Sequence, residues 1–283
     1  MAPRTAVIGA AGFIGRALLA AYRAEHPDAA GTDHRGRDGL IPLDLAAPDV
    51  EPLLGHEACV IAGARPGIAD CEHHPSETRA INAAGPLAAV RALRDAGVRP
   101  VVFSSDYVFD GREGGYADDA PLSPVTEYGR QKAELETGAG EDVLVLRLSK
   151  IYGLERDDGT LLDEMGAVLA RGERVRAARD QVFAPLWIGD LVTAVLALQE
   201  VDADGVFNLC SPVAWSRLEI ARALAEALGA DPDQVEEISL DDLGEGFARP
   251  KDTSMVPERV GATIAFEPLP LEDAVARVAE GWR

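Results

Sequence analysis

A tyrosine and a lysine four positions apart, Tyr128 and Lys132, stand about twenty residues after a serine pair, Ser104 and Ser105. On a helix that spacing puts phenol and ammonium on one face. A positive charge beside a phenol favours the phenolate and draws its pKa from about 10 toward working pH, which makes Tyr128 a usable acid or base. The serines close an apolar run, Val101, Val102 and Phe103, so a hydroxyl from Ser105 at a strand end can hydrogen-bond the same substrate oxygen. This is chemistry for moving a hydride to or from a carbon that bears oxygen. The competing reading is a solvated helix face that carries Tyr and Lys for no catalytic reason.

The elements around this set favour the chemical reading. Residues 5–8 form a short apolar strand that runs directly into GAAGFIG at residues 9–15, followed by an Ala/Leu-rich helix from residue 16 to about 25. Glycines so placed permit a tight turn, close backbone approach to a pyrophosphate and close helix-on-strand packing, which makes Gly9, Gly12, Phe13, Ile14 and Gly15 the candidate phosphate loop. A second strand, residues 29–32, ends in Asp33, 24 residues after Gly9, where a carboxylate accepts hydrogen bonds from an adenine ribose. That tilts the cofactor toward NAD over NADP, while Arg35 and Arg37 close by could receive a phosphate instead. A turn aspartate in a polar loop is the alternative for Asp33. Residues 40–45 read as a third strand ending in Asp44 and Leu45, suited to an adenine, and residues 58–62 as a fourth, ending in Ala62 and breaking into Gly63 and Ala64, where small side chains let a cofactor lie against the backbone. Residues 75–96 are helical by content and spacing and contain Asn82. Strands alternating with helices imply right-handed crossovers and a parallel sheet, with the serines at the carboxyl end of a strand, where such sheets bind ligands.

With 283 residues the chain is long enough for a two-lobed domain with a sizeable core. Its net charge of -21, from 48 acidic and 27 basic residues, argues against nucleic acid or an anionic membrane as partner, since both would be repelled. Cys59, Cys71 and Cys210 are too few and too scattered for a disulfide scaffold and fit a reducing compartment. The five histidines show no ligand spacing, so no metal is expected. No apolar run reaches a membrane span and the first strand begins by residue 5, so neither a signal peptide nor an anchor is expected and the cytoplasm is the expected compartment.

In the second half, residues 161–171 suit an amphipathic helix, and residues 181–190 an extended stretch leading into an apolar helix, 191–199, with Asp190 as N-cap. Trp187 in that stretch could border a ligand or belong to the core. Residues 205–210 return as a strand, and Ser216 with Glu219 forms a capping box for a helix through Leu228 that Gly229 ends. Arg249, Pro250 and Lys251 make a positive spot that could meet a diphosphate or lie in a solvated loop. The acidic run at residues 231–245 reads as solvated surface.

With these residues in view, the chain resembles the extended short-chain dehydrogenase/reductase superfamily, through GAAGFIG, Ser105 and the YGRQK segment from Tyr128 to Lys132. Within it, SSDYVFDG at residues 104–111, AINAAG around Asn82, PLSPVTEYGRQKAELE, RLSKIYG at residues 147–153 and ARPKDTSM near residue 250 are most similar to the dTDP-4-dehydrorhamnose reductase branch. The resemblance covers nearly the whole chain. It implies that Ser105 orients a substrate carbonyl, that Tyr128 donates the proton, and that Lys132 lowers the pKa of Tyr128 and contacts the nicotinamide ribose, with Ser104 and Ser105 bordering the sugar. Dehydratase relatives carry Asp-Glu after the catalytic hydroxyl; Asp106 and Tyr107 stand here, which speaks against dehydration. Lys150 occupies a place where the branch commonly carries Trp, so it either favours an extra anionic group on the substrate or points to solvent.

The resulting expectation is an α/β protein: a Rossmann-type doubly wound parallel sheet over residues 1–152, with about 186–211 packing back onto it, and a smaller C-terminal substrate-binding lobe over 153–283. The function it implies is an NAD(P)H-dependent reductase of a nucleoside-diphosphate 4-keto-6-deoxy sugar, with Ser104, Ser105, Lys150 and Arg249 at the substrate. The alternatives are a sugar-nucleotide epimerase that retains its cofactor and a non-catalytic binding subunit. A homodimer is the general prior for its assembly.

Overall fold

The computed structural model describes residues 1–244 and 246–282. In chain order the elements are β1 (Thr5–Ile8), α1 (Phe13–Glu25), β2 (Thr32–Asp33), β3 (Ile41–Pro42), β4 (Ala58–Ile61), α2 (Ile68–His73), α3 (Pro75–Arg79), α4 (Gly85–Asp95), β5 (Arg99–Ser105), α5 (Glu127–Ala139) and β6 (Leu144–Leu148). They continue with β7 (Ile151–Tyr152), α6 (Leu161–Ala170), β8 (Val175–Ala178), β9 (Val182–Phe183), β10 (Leu186–Trp187), α7 (Ile188–Glu200), β11 (Gly205–Leu209), β12 (Trp215–Ser216), α8 (Arg217–Leu228), β13 (Val235–Ile238), α9 (Glu258–Thr263) and α10 (Leu271–Trp282). The helix expected over residues 75–96 is α3 and α4 joined by a π-helical turn, Ala80–Ala84.

The chain forms two compact units. The first comprises Met1–Val108, Leu122–Arg147 and Val192–Phe207. Its sheet runs in the order β1-β4-β5-β6-β11, with β1, β4 and β5 paired in parallel. The short β2–β3 pair joins the β1 edge through a parallel bridge between Val7 and Gly31. Strand apolarity explains the burial: all four residues of β1 and of β4 are buried, as expected for a sheet covered on both faces. Leu87, Val90 and Leu93 of α4 pack with Val102 of β5 and Val145 of β6 in one core cluster, and truncating a fully buried leucine such as Leu93 to alanine costs about 2–5 kcal/mol.

The second unit comprises Phe109–Pro121, Leu148–Leu191 and Asn208–Arg283. Here α6, α8 and α10 pack around a core that includes Leu162, Leu224 and Val278. The helix α8 opens on the expected capping box, with Ser216 accepting from the Glu219 N–H and the Glu219 carboxylate accepting from the Ser216 N–H, and closes on left-handed Gly229. The segment Phe109–Pro121, read from sequence with the first part, belongs to this unit: Phe109 stacks on Tyr116 with centroids 4.2 Å apart, and the Tyr116 N–H donates to the Ser254 carbonyl. The return segment is correspondingly Val192–Phe207, shorter than the expected 186–211. Asp190 is not an N-cap. The helix starts two residues earlier, at Ile188, and the Asp190 carboxylate accepts from the Leu269 N–H at 2.8 Å. Of the acidic run at 231–245, Asp231, Asp233, Glu236, Glu237, Asp241 and Asp242 are exposed, and Glu245 lies outside the described residues.

Candidate active site

The chain leaves β1 at Gly9 with φ 84°, in the left-handed region, and a Cβ there would come within 2.6 Å of the Gly63 backbone. A Cβ on Gly15 would lie 2.2 Å from the Gly9 carbonyl oxygen. Strand, loop and helix therefore close on one another only because these positions lack side chains. The helix that follows has no side-chain cap at Gly12 and no acidic residue in its first turn, so its leading amides remain available to an anion.

Beside this loop lies a cavity of about 310 Å³. Of the residues expected to hold a cofactor, Gly9, Gly12, Asp33, Asp44, Leu45, Ala62, Gly63 and Ala64 line it, while Phe13, Ile14 and Gly15 sit in the first turn of α1 and do not. Thr32, His34, Arg65 and Ile81 also line it. Arg65 follows the Gly63-Ala64 break directly and was within reach of sequence reasoning; Ile81 comes from a distant turn that no local signal marks. The Asp33 carboxylate accepts from Arg37 Nε at 3.0 Å and Arg37 Nη2 at 3.3 Å, and these bonds hold it well below the usual carboxylate range. A backbone cradle with no room for side chains, an uncapped helix start and an ionised carboxylate at the end of β2 fit the pyrophosphate and ribose of a dinucleotide.

The catalytic candidates come together at the end of β5 and the start of α5. Ser105 closes β5; its hydroxyl donates to Asp106 Oδ1 at 2.9 Å and accepts from the Tyr107 N–H at 3.2 Å. Thr126 caps α5 by accepting the Gly129 N–H at 3.0 Å, which fixes the turn carrying Tyr128. Gly129 is a requirement that sequence reasoning missed, since a Cβ there would sit 2.1 Å from the Tyr107 carbonyl oxygen. The Tyr107 ring meets that of Tyr128 edge to face, with centroids 6.0 Å apart. Tyr128 and Lys132 are both buried. Lys132 Nζ donates to the Phe103 carbonyl at 2.9 Å and stands 5.9 Å from the centre of the Tyr128 ring.

The electrostatics correct the expectation of a lowered phenol pKa. Burial pushes the Tyr128 phenol well above its ordinary value, the nearby Asp106 carboxylate adds to the rise, and the Ser105 hydroxyl opposes it. Lys132 does not reverse this: its ammonium, 5.9 Å from the centre of the phenol ring, donates to the Phe103 carbonyl, and burial brings it down to about 8. Tyr128 is thus held as a neutral phenol, the protonation state a proton donor needs.

Ser104, expected beside Ser105 at the sugar, has its hydroxyl engaged elsewhere. Neighbouring strand residues point to opposite faces, and its hydroxyl turns inward to donate to Glu136 Oε2 at 2.8 Å. Glu136 in turn takes Arg147 Nε at 2.9 Å and also Nη2, in an ion pair whose side chains are each 4% exposed. Asn82, fully buried in the π-helical turn, donates to the Arg65 carbonyl at 2.9 Å and to Gln131 Oε1 at 2.8 Å, and accepts the Arg65 N–H at 2.8 Å. It ties the cavity wall to the residue before Lys132.

In the second unit, Lys150 is exposed just before β7, Arg249 lies over the Phe247 ring at 5.7 Å, and Trp187 packs against the core of that unit. Lys251 is engaged by Asp241 at 2.6 Å and Asp180 at 3.0 Å, so the positive spot expected at 249–251 is largely neutralised. The three cysteines are buried and unbridged. Among the described residues no group of three His, Cys, Asp or Glu is arranged to hold a metal, and no helix is long and apolar enough to cross a membrane.

Residues 4–283 match the family described as the RmlD substrate binding domain. The dTDP-4-keto-6-deoxy-D-glucose reductase of Streptomyces niveus is 31% identical over 89% of this chain and 88% of its own. The dTDP-4-dehydrorhamnose reductase of Mycolicibacterium smegmatis is 31% identical over 98% of this chain and 86% of its own. Among solved structures, a hypothetical dTDP-4-dehydrorhamnose reductase from Sulfolobus tokodaii superimposes with a TM-score of 0.84 at 26% identity, covering 96% of this chain and 98% of that one.

Proposed function

The chain belongs to the RmlD substrate-binding domain family, and from that premise we propose that it is an NAD(P)H-dependent reductase of a nucleoside-diphosphate 4-keto-6-deoxy sugar. The observation that carries this is the convergence of Ser105, Tyr128 and Lys132, with Ser105 held by the Tyr107 N–H, Lys132 by the Phe103 carbonyl, and the phenol kept protonated. The names of the two bacterial relatives set the substrate class.

In this reading the Ser105 hydroxyl turns from Asp106 to the substrate carbonyl and holds it in line. Tyr128 gives its proton to the carbonyl oxygen as negative charge develops there. The nicotinamide, when bound, supplies the hydride to the carbonyl carbon. The resulting phenolate is the charge that the Lys132 ammonium stabilises, and water restores the proton. Asp106 disfavours the phenolate before reaction, so proton transfer is linked to the arrival of an acceptor rather than to bulk pH.

The test is steady-state oxidation of NADH or NADPH at 340 nm with dTDP-4-keto-6-deoxyglucose, with product analysis for the reduced carbonyl. One cofactor consumed per sugar reduced is expected. Isomerised sugar with no net cofactor consumption would instead assign an epimerase.

A further inference from the structure

Gln131, between Tyr128 and Lys132 in the chain, is a buried amide on the same inward side of α5. We propose that Gln131 is a positioning residue for the reaction: its amide sets the rotation of α5 about its own axis, and with it the placement of the Tyr128 phenol and the Lys132 ammonium. This rests on the proposed function, in which those two groups carry the chemistry.

The amide is gripped at both ends. Its Oε1 accepts from Asn82 Nδ2 at 2.8 Å. Its Nε2 donates to Thr78 Oγ1 at 2.9 Å, with Glu127 Oε1 at 3.2 Å and the Pro75 carbonyl at 3.3 Å also in reach. A carbonyl and a carboxylate only accept, and an amide nitrogen only donates, so these partners fix which way the Gln131 amide faces. Pro75 and Thr78 belong to α3 and Asn82 to the π-helical turn that follows it, so one side chain ties α5 to two successive segments.

The other ties at this end of α5 act differently. Thr126 accepts the Gly129 N–H at 3.0 Å and Glu72 accepts the Glu127 N–H at 2.7 Å; both hold backbone amides close to the axis and fix where the helix begins more than how far it turns. Arg79 of α3 pairs with Glu134, but at the surface, where an ion pair contributes little. Lys132 reaches the Phe103 carbonyl through a flexible four-carbon stem, so that bond follows the helix rather than steering it. Tyr128 meets the Tyr107 ring and the Ser105 hydroxyl, and its placement follows the turn that carries it. A rotation of about 10° at a radius of roughly 6 Å, half the width of a helix with its side chains, moves a side-chain tip by about 1 Å. A misplacement of about 1 Å is enough to cost roughly a hundredfold in rate.

The experiment measures kcat and KM for dTDP-4-keto-6-deoxyglucose, dinucleotide affinity by calorimetric titration and the urea midpoint for the wild type, Gln131→Met, Thr78→Val, Tyr128→Phe and Gln131→Met combined with Tyr128→Phe. Gln131→Met keeps the length of the side chain and removes its polar end. It should lower kcat by about ten- to a hundredfold with KM and dinucleotide affinity within about threefold of wild type. In the Tyr128→Phe background the same substitution should change kcat by less than about threefold, because misplacing a ring costs little once its hydroxyl is gone. Thr78→Val takes one acceptor from the amide at nearly constant shape and should lower kcat about three- to tenfold by the same route. A residue that only stabilised the fold would lower the urea midpoint and leave kcat of the folded enzyme unchanged, or lower it by one factor in both backgrounds; either result overturns the proposal and leaves the Tyr128 mechanism standing. Where Gln131→Met does not fold, wild-type kcat in Thr78→Val overturns it. A wild type that binds dinucleotide but reduces no sugar overturns the proposed function and this proposal with it.

Discussion

Replacing Glu136 by Gln should unsettle the fold and the site together, and the structure fixes how much. The Glu136 carboxylate takes the Arg147 guanidinium through Nε at 2.9 Å and through Nη2, and the Ser104 hydroxyl at 2.8 Å. Both charged side chains are 4% exposed, so water cannot replace a lost partner. Three elements meet there: Ser104 on β5, one residue before Ser105; Glu136 on α5, one turn after Lys132 and two after Tyr128; and Arg147 on β6. Removing one partner of a buried pair costs about 3–5 kcal/mol, because the remaining charge stays buried and uncompensated. For a protein of this size that is a fall in Tm on the order of 10 °C. Replacing both partners, as Glu136→Leu with Arg147→Met, should cost less than either single change, since no orphan charge remains. The assay is urea denaturation of the wild type, Glu136→Gln, Glu136→Leu, Arg147→Met and the double variant, followed by circular dichroism, with cofactor oxidation measured in parallel. A Glu136→Gln variant within about 1 kcal/mol of wild type would refute the claim that this pair is desolvated.

Two further outcomes follow from the same geometry. Burial brings Lys132 down to about 8, so its ammonium is present below that pH and lost above it; kcat/KM should be level through the neutral range and fall with an apparent pKa near 8. Lys132→Arg, which stays charged, should abolish that fall, and a limb that persists in it would assign the titration to another group. Gly129→Ala introduces a Cβ 2.1 Å from the Tyr107 carbonyl oxygen, which should cost about 1–3 kcal/mol of stability and lower kcat more than it raises KM. A variant with wild-type kcat would show that the start of α5 can shift freely.

Much of the site was legible because its signals are local. The Tyr128–Lys132 spacing and the strand before Ser105 placed the catalytic candidates, and the glycine run after β1 placed the cradle. Ser104 was expected at the sugar beside Ser105, although strand alternation aims neighbouring serines at opposite faces, and its hydroxyl goes to Glu136. The direction of the Tyr128 shift was not legible. It depends on where the Lys132 ammonium ends, and the Phe103 carbonyl that takes it is fixed by packing, not by spacing. The role of Asn82 likewise needs three dimensions, since it joins Arg65 to Gln131 across 17 and 49 residues of chain. In the fold, β2 and β3 are two-residue strands, shorter than their apolar runs suggested, with a turn through left-handed Gly36 and Asp38 between them. The reassignment of Phe109–Pro121 rests on pairing with residues near 254, more than a hundred positions away, which no local pattern encodes.

The most direct test of the central claim is the 340 nm rate with dTDP-4-keto-6-deoxyglucose for wild type and Tyr128→Phe, with NADH and NADPH affinities measured on the same samples. Removing one hydroxyl from a buried ring should lower kcat by about 10²–10⁴-fold, the range for a positioned proton donor, while both affinities stay within about threefold of wild type. A Tyr128→Phe variant that reduces the sugar at the wild-type rate would contradict the assignment of Tyr128 as the proton donor, and with it the mechanism proposed for this site.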